Sequence, residues 1–139
     1  MVGTNNGGIA NSFSDSAVTV ATGVTLDKDT TALGGVVGIN NGNVQYVDSL
    51  GVTNGGATNS SNIGGIIGIN NDNMYSGYNE SIVSGKDNVG GIIGENNIDA
   101  EVSNIVNATS VTGEDKTPTQ DDDDISKYVV GLLVQTAAA

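Results

Sequence analysis

The sequence predicts an all-β protein, a right-handed parallel β-helix (β-solenoid) of about four to five coils with three short strands in each coil. One observation is a repeat, because residues 33–41 (LGGVVGINN), 63–71 (IGGIIGINN) and 89–97 (VGGIIGENN) are close copies of one unit. Another is the period of about 30 residues, since periods of roughly 20–50 residues are typical of solenoids, propellers and arrays. The last is composition: Val, Ile and Thr favour pleated backbone, and no segment has apolar residues at helical spacing.

Each unit is expected to hold three strands, of which the glycine-rich stretch is the first. Further apolar positions mark the second and third strands of the four units: Ile9, Val44, Met74 and Val102, then Val18, Val52, Val83 and Val111. Asn-Gly pairs at 6–7, 41–42 and 54–55 are expected to supply the positive φ of tight turns. Propeller blades need four antiparallel strands in about 40 residues, and these units are too short for that.

The repeats divide the chain into three regions. Residues 114–127 are interpreted as an acidic surface loop, because they contain Pro118, the one proline, and a run of aspartates. Residues 128–139 are interpreted as a degenerate final repeat with a vector-derived tail. The chain opens in mid-unit, so we expect a piece of a longer exported protein. The repeats themselves fill 1–113, with a partial first unit at 1–32 and whole units at 33–62, 63–88 and 89–113.

The glycine-rich strings resemble the GLUG motif family, named for Gly-Leu-any-Gly. The matching residues are GVVG at 35–38 and GIIG at 65–68 and 91–94, each followed by an Asn pair, with Val or Ile in place of Leu. The final copy keeps only GLL at 131–133. Members of the family occur in tandem in large bacterial surface and secreted proteins, including adhesins and the non-catalytic part of some immunoglobulin A peptidases. The resemblance therefore implies an extracellular or bacterial cell-surface location.

The resemblance also implies which side chains form the repeat core. One set is expected to point inward together: Val36, Ile66, Ile92 and Leu132, with Asn40, Asn70 and Asn96 on the same face. The next residue of each copy then takes the other face: Val37, Ile67, Ile93 and Leu133. Periodicity alone does not decide between the sets, because both are apolar. Inward Asn side chains would hydrogen-bond from coil to coil, whereas the alternative places them in left-handed turns.

Charge and residue usage exclude several classes of function. Sixteen acidic residues against four lysines give a net charge of -12, which disfavours nucleic acid and anionic membranes as partners. No run approaches the roughly 18 apolar residues of a membrane-spanning helix, so no membrane insertion is expected. The absence of His, Cys and Arg removes histidine-based triads, cysteine nucleophiles and most zinc sites. We expect no cofactor and no enzymatic activity.

Three sets of residues remain as candidates for chemistry or binding. Carboxylate pairs of the kind that glycosidases use would come from Asp15, Asp48, Glu80 and Glu101, although exposed carboxylates usually serve solubility. Asp121, Asp122, Asp123 and Asp124 are a weak calcium candidate, but they lack the EF-hand spacing, and a solvated loop is the favoured interpretation. Tyr46, Tyr75 and Tyr78 are close enough in sequence to suggest an aromatic platform for sugars.

The expected function is that of a non-enzymatic structural or presentation segment of a bacterial cell-surface, adhesin-like protein that contributes to host or surface attachment. The alternative is a carbohydrate-binding or carbohydrate-active β-helix module. Expected partners are a host surface protein or glycan and the neighbouring repeats of a longer chain. Weak self-association through the N-terminal coil is also expected, because solenoid ends expose unpaired backbone groups.

Overall fold

The computed structural model describes residues 1–27, 31–56 and 59–113, and these residues form strands and turns with no helix. All paired strands are parallel and stack into four sheets, so the predicted parallel β-solenoid is confirmed. The strands are β1 (Val2–Asn5), β2 (Ile9–Ser14), β3 (Val18–Thr19), β4 (Leu33–Gly34), β5 (Val37–Asn40), β6 (Val44–Ser49), β7 (Val52–Asn54), β8 (Ile63–Gly64), β9 (Ile67–Asn70), β10 (Met74–Asn79), β11 (Ile82–Ser84), β12 (Val89–Gly90), β13 (Ile93–Asn96), β14 (Val102–Asn107) and β15 (Val111–Thr112).

Each sheet collects one strand from successive coils. Sheet A is β1-β5-β9-β13, sheet B is β2-β6-β10-β14, sheet C is β3-β7-β11-β15 and sheet D is β4-β8-β12. Coil 1 therefore contains β1–β3, coil 2 β4–β7, coil 3 β8–β11 and coil 4 β12–β15. The prediction of three strands per coil is wrong for coils 2 to 4, which have four, because the glycine-rich strand is divided in two.

A bend after the glycine pair divides that strand. The backbone N–H groups of Val36 and Val37 both donate to Ile66 O, at 3.0 and 2.9 Å, so the chain turns between them instead of continuing the ladder. Glycine is required beside the bend. An added Cβ on Gly64 would lie 2.7 Å from Ile92 O, and one on Gly65 would lie 2.5 Å from Asn79 Cγ.

The bend places both apolar residues of each copy in the core. Val36, Ile66 and Ile92 are buried as expected from the resemblance, but Val37 and Ile67 are also 0% exposed and pack in the same cluster. The expectation that Val37 and Ile67 face away is therefore wrong. Side chains alternate only along a continuous strand, and this strand is interrupted between the two positions. Leu132 and Leu133 lie outside the described residues.

The strands of sheet B each contain one left-handed residue, which changes the usual alternation. The third residue of every strand has positive φ: Asn11, Tyr46, Ser76 and Asn104, at 50°, 53°, 58° and 53°. As a result Val44 and Val47, three residues apart, both point into the core. The prediction of positive φ at the Asn-Gly pairs is wrong, since none of the residues at 6–7, 41–42 or 54–55 has it.

Sheet C shows a register one residue away from the predicted one. Val18 pairs with Thr53, and Thr53 pairs with Val83, so Thr53 takes the inward position of coil 2. Val52, the predicted apolar position, is 38% exposed and pairs with the exposed Ile82. Thr53 Oγ1 is buried without a hydrogen-bond partner. A second small core cluster, of Ile63, Val83 and Val89, lies between sheets C and D.

Candidate functional site

Asparagine side chains at the ends of the sheet A strands form a ladder inside the solenoid. Asn5 Nδ2 donates to Asn40 Oδ1 at 2.7 Å, and Asn40 Nδ2 donates to Asn70 Oδ1 at 2.8 Å. Asn70 Nδ2 donates in turn to Asn96 Oδ1 at 2.8 Å. Asn40 and Asn70 are fully buried and have no positive φ, so they bridge coils and do not form left-handed turns. Asn96 is exposed, and its Nδ2 donates to Ala100 O at 3.0 Å.

The next asparagine of each copy forms a second, exposed ladder. Asn41 Nδ2 donates to Asn6 Oδ1 at 2.9 Å, and Asn71 Nδ2 donates to Asn41 Oδ1 at 2.7 Å. Asn97 Nδ2 donates to Asn71 Oδ1. In the inner ladder each amide donates to the following coil, whereas in the outer ladder it donates to the preceding one. Each Asn pair therefore ties its coil to both neighbours.

Two further asparagine contacts between coils were missed in the sequence. Asn79 Nδ2 donates to Asn107 Oδ1 at 2.8 Å at the end of sheet B, and Asn88 Nδ2 donates to Asn62 Oδ1 at 2.8 Å before sheet D. The second pair had a visible signal, because Asn62 and Asn88 each stand directly before a glycine-rich copy. These ladders are structural, and they fix the register in which outward side chains are displayed.

The outer side of sheet B carries a group of aromatic side chains, here called the aromatic face: the exposed Phe13, Tyr46 and Tyr75, and the half-buried Tyr78. Tyr46 in coil 2 and Tyr75 in coil 3 have ring centroids 5.6 Å apart at an interplanar angle of 84°. They remain 51% and 42% exposed, and Phe13 of coil 1 is 73% exposed. Three exposed aromatic rings on one outer surface make this face the candidate contact site of the described residues.

Strand register places the aromatic face across coils 1 to 3. Phe13 pairs with Asp48, and Asp48 pairs with Tyr78, so one outward row holds an aromatic, a carboxylate and an aromatic in successive coils. Neighbouring coils are separated by about 4.8 Å in such a stack. Tyr46 reaches this surface through its left-handed conformation. Phe13 was missed in the sequence because it is far along the chain from the tyrosines, and only strand pairing places it in the same row as Tyr78.

Two carboxylates give the aromatic face a negative character. Tyr78 Oη donates to Glu80 Oε1 at 2.9 Å. This hydrogen bond, with smaller effects of burial and of the charges of Glu80 and Asp48, raises the pKa of Tyr78 above its ordinary value. The phenol is thus kept neutral as a hydrogen-bond donor beside two anionic groups.

The structure brings two of the four candidate catalytic carboxylates to the same place. Asp48 and Glu80 both lie close to Tyr78, whereas Asp15 follows β2 in coil 1 and Glu101 precedes β14 in coil 4. All four are exposed. Across residues 1–27, 31–56 and 59–113, no three acidic, His or Cys side chains are grouped to hold a metal ion. The calcium candidate, Asp121 to Asp124, and the remaining tyrosine, Tyr128, lie outside these ranges.

The fold and this surface define a class, a parallel β-solenoid with one amide ladder inside, a second on its surface and an aromatic face on sheet B. Comparison with protein-family models, curated proteins and solved structures gave no match. The resemblance to the GLUG motif therefore stays a prediction that rests on the repeated residues. Within the part of the chain that is described, no helix has the length and hydropathy needed to cross a membrane.

Proposed function

We propose that this chain is a non-enzymatic presentation segment of a bacterial cell-surface, adhesin-like protein, and that it contributes to attachment through the aromatic face. The location follows from the GLUG-like repeats and stays an expectation. The solenoid supports a presentation role because each coil packs on its neighbours, so length is added in coil-sized steps without a large core. The amide ladders hold outward residues of successive coils at fixed spacing.

The observation that carries this proposal is the exposure of the Tyr46–Tyr75 pair. Burial of apolar area stabilises a fold by about 25 cal/mol per Å². Two large rings that stay about half in water do not contribute this stabilisation in full. Tyr46 also adopts φ 53°, a conformation that is unusual for a bulky residue. Asn11, Ser76 and Asn104 have positive φ at the equivalent position, so this conformation belongs to every coil, and the proposal rests on the exposure of the rings.

The chemistry of the aromatic face indicates what kind of partner it fits. Asp48 and Glu80 surround Tyr78 with negative charge, and the whole chain carries -12. An anionic partner would be repelled, so a neutral glycan or a neutral to basic protein surface is the better match. Rigid aromatic rings with polar groups at their margin are typical of binding surfaces, because such rings lose little conformational entropy when a partner binds.

The test is adhesion of the purified chain to immobilised host-surface proteins and to a glycan array. We expect binding by the wild type and its loss in the double variant Tyr46→Ser, Tyr75→Ser. Ile82→Ser is the matched control, because Ile82 is 52% exposed on sheet C and Tyr46 is 51% exposed on sheet B. The aromatic face would be rejected as a contact site if Ile82→Ser lost as much binding as the double variant. It would also be rejected if the wild-type chain bound none of the proteins and none of the glycans.

A carbohydrate-binding module is the second candidate, and the edge-on ring geometry favours it. The Tyr46–Tyr75 pair is edge-to-face at an interplanar angle of 84°, so the two rings do not cover each other face to face, and both are about half exposed and accessible to a sugar. Tyr78 and Glu80 supply the polar groups that would fix a sugar's orientation. Saturable binding to one class of neutral glycan would favour this module, whereas binding to protein surfaces alone would favour the presentation segment.

A further inference from the structure

Asp48 is an exposed carboxylate with large apolar side chains around it. Strand pairing places Phe13 next to it in coil 1 and Tyr78 next to it in coil 3. Along the chain, Tyr46 precedes it by two residues and Leu50 follows it by two, and both are exposed. Equivalent residues of adjacent coils are about 4.8 Å apart, and residues two apart on a strand are about 7 Å apart, so all four lie near Asp48.

The Asp48 carboxylate has no hydrogen-bond partner among the described residues. Glu80, the other carboxylate of this surface, accepts the Tyr78 hydroxyl at 2.9 Å, whereas Asp48 accepts no such bond from the described residues. The chain has no arginine, and Lys86, the one lysine in the described part, lies in the connection from β11 on sheet C to β12 on sheet D. The described residues therefore place no lysine or arginine beside Asp48 to neutralise its charge.

A cation with a flat apolar surface complements this arrangement. The faces of aromatic rings attract cations, and a carboxylate beside them adds an ion pair, which is stronger where apolar groups keep water away. The ammonium group of lysine is compact and strongly hydrated. The guanidinium group of arginine is planar and weakly hydrated, stacks on aromatic rings and pairs with a carboxylate through two hydrogen bonds. Arginine therefore fits a carboxylate flanked by rings better than lysine does.

We infer that the aromatic face binds an arginine side chain of a partner protein, with the guanidinium group on Asp48 and the apolar stem against the flanking rings. This inference rests on the proposed function, because it names the partner of the same face. A protein surface is favoured over a glycan, since a neutral sugar would leave the charge of Asp48 unpaired. The net charge of -12 attracts a basic partner, and added salt weakens that attraction.

Titration of the full chain with short peptides tests this, with the signals of the tyrosine rings followed by NMR. Three pentapeptides, acetylated and amidated at their ends, have arginine, lysine or citrulline between two pairs of glycines. Citrulline has nearly the shape of arginine and no charge. We expect saturable binding of the arginine peptide, with about threefold weaker affinity for the lysine peptide and about tenfold weaker affinity for the citrulline peptide. Equal binding of the lysine or the citrulline peptide would overturn the inference.

Asp48→Asn removes the charge and should weaken binding of the arginine peptide by about tenfold. The variant is expected to fold, because the equivalent residues of the other coils are Phe13, Tyr78 and Val106. Asp99→Asn is the matched control, since Asp99 is an exposed aspartate of coil 4 outside the aromatic face, and it should bind like the wild type. Equal weakening in both variants would overturn the inference, because it would show a general attraction to the negative chain.

The adhesion test separates this inference from the proposed function. We expect adhesion to a protein to be lost in Asp48→Asn as well as in the Tyr46→Ser, Tyr75→Ser variant. Loss in the double variant alone, or adhesion to neutral glycans alone, would overturn the arginine inference and leave the aromatic face as a contact site. If Ile82→Ser loses as much adhesion as the double variant, the proposed function itself fails.

Discussion

At the scale of single residues, buried amides replace part of the apolar core with hydrogen bonds that run along the solenoid. Asn70 makes one such bond to each neighbouring coil, to Asn40 at 2.8 Å and to Asn96 at 2.8 Å. A buried amide without a partner is costly, so every member of the ladder depends on the others. The role of these asparagines is to fix the register of each coil on its neighbours.

Asn70→Ala should lower the free energy of unfolding by about 2–3 kcal/mol, because Asn40 Nδ2 is left buried without its acceptor. Asn71→Ala removes the corresponding residue of the exposed ladder, where water replaces the lost bonds, and should cost less than about 1 kcal/mol. Urea unfolding of both variants measures the difference. Equal losses would mean that the inner ladder is no more important than the surface one.

The raised pKa of Tyr78 predicts a pH dependence at the aromatic face. A raised phenol pKa means that the folded state favours the neutral form, so this contribution is present below the ordinary tyrosine pKa and is lost as pH rises through the raised value. We expect Tyr78 to titrate later than an ordinary tyrosine, when followed by NMR of the tyrosine rings. Glu80→Gln should bring its midpoint back down, whereas Glu101→Gln should not change it. An unchanged Tyr78 midpoint in Glu80→Gln would exclude the hydrogen bond as the cause.

At the scale of strands and coils, each column of equivalent residues acts as a set of natural substitutions. In sheet C the inward column holds Val18, Thr53, Val83 and Val111. Thr53 is the exception, and its Oγ1 is buried without a hydrogen-bond partner. The comparison indicates that coil 2 tolerates threonine at this position and that valine, which the other three coils have, would be more stable there.

Thr53→Val should raise the free energy of unfolding by about 1 kcal/mol, because it removes an unpaired buried hydroxyl and keeps the side-chain shape. Thr19→Val is the control, since Thr19 is exposed in sheet C and should change stability little. Thermal and urea unfolding provide the measurement. A loss of stability in Thr53→Val would show that the hydroxyl has a partner within the protein or in water.

The bend after the glycine pair predicts that adjacent residues are equally sensitive. Ile66→Asp and Ile67→Asp should each cost more than about 4 kcal/mol, because both side chains are 0% exposed and an unpaired carboxylate would enter the dry core. Ile69→Glu should cost less than about 1 kcal/mol, since Glu95 stands at the same register position in coil 4. A mild effect of Ile67→Asp would instead support the simple alternation, in which Ile66 points inward and Ile67 points outward.

The coils were predictable because the glycine copies repeat at nearly constant spacing, but finer details were not. Tyr and Ser are not residue types that predict positive φ, so the left-handed conformation of Tyr46 and Ser76 could not be predicted. For the same reason the sequence did not show that Val44 and Val47 both point into the core. In sheet C, Val52 and Thr53 are both good strand formers, and a slip of one residue changes which of them is buried. The aromatic face was partly predicted, from Tyr46, Tyr75 and Tyr78. Phe13 joins it only through strand register, which the sequence does not display.

At the scale of the whole molecule, one property supports every proposal made for this chain. The core, the ladders and the aromatic face all require that each coil repeats in register on the one before it. Parallel coils in register are about 4.8 Å apart, which lies within the range of about 4.4–6.8 Å between the Cα atoms of a disulfide. The chain has no cysteine of its own, so introduced pairs are free of competing thiols.

Disulfide mapping in the outer ladder is therefore the most direct test. The pair Asn41→Cys, Asn71→Cys joins neighbouring coils and should cross-link on mild oxidation, because the native side chains are already in contact at 2.7 Å. The pair Asn6→Cys, Asn71→Cys is separated by two coils, about 9.6 Å, and should stay reduced within one chain. Efficient cross-linking of the second pair and not the first would contradict the stack of coils on which the account depends.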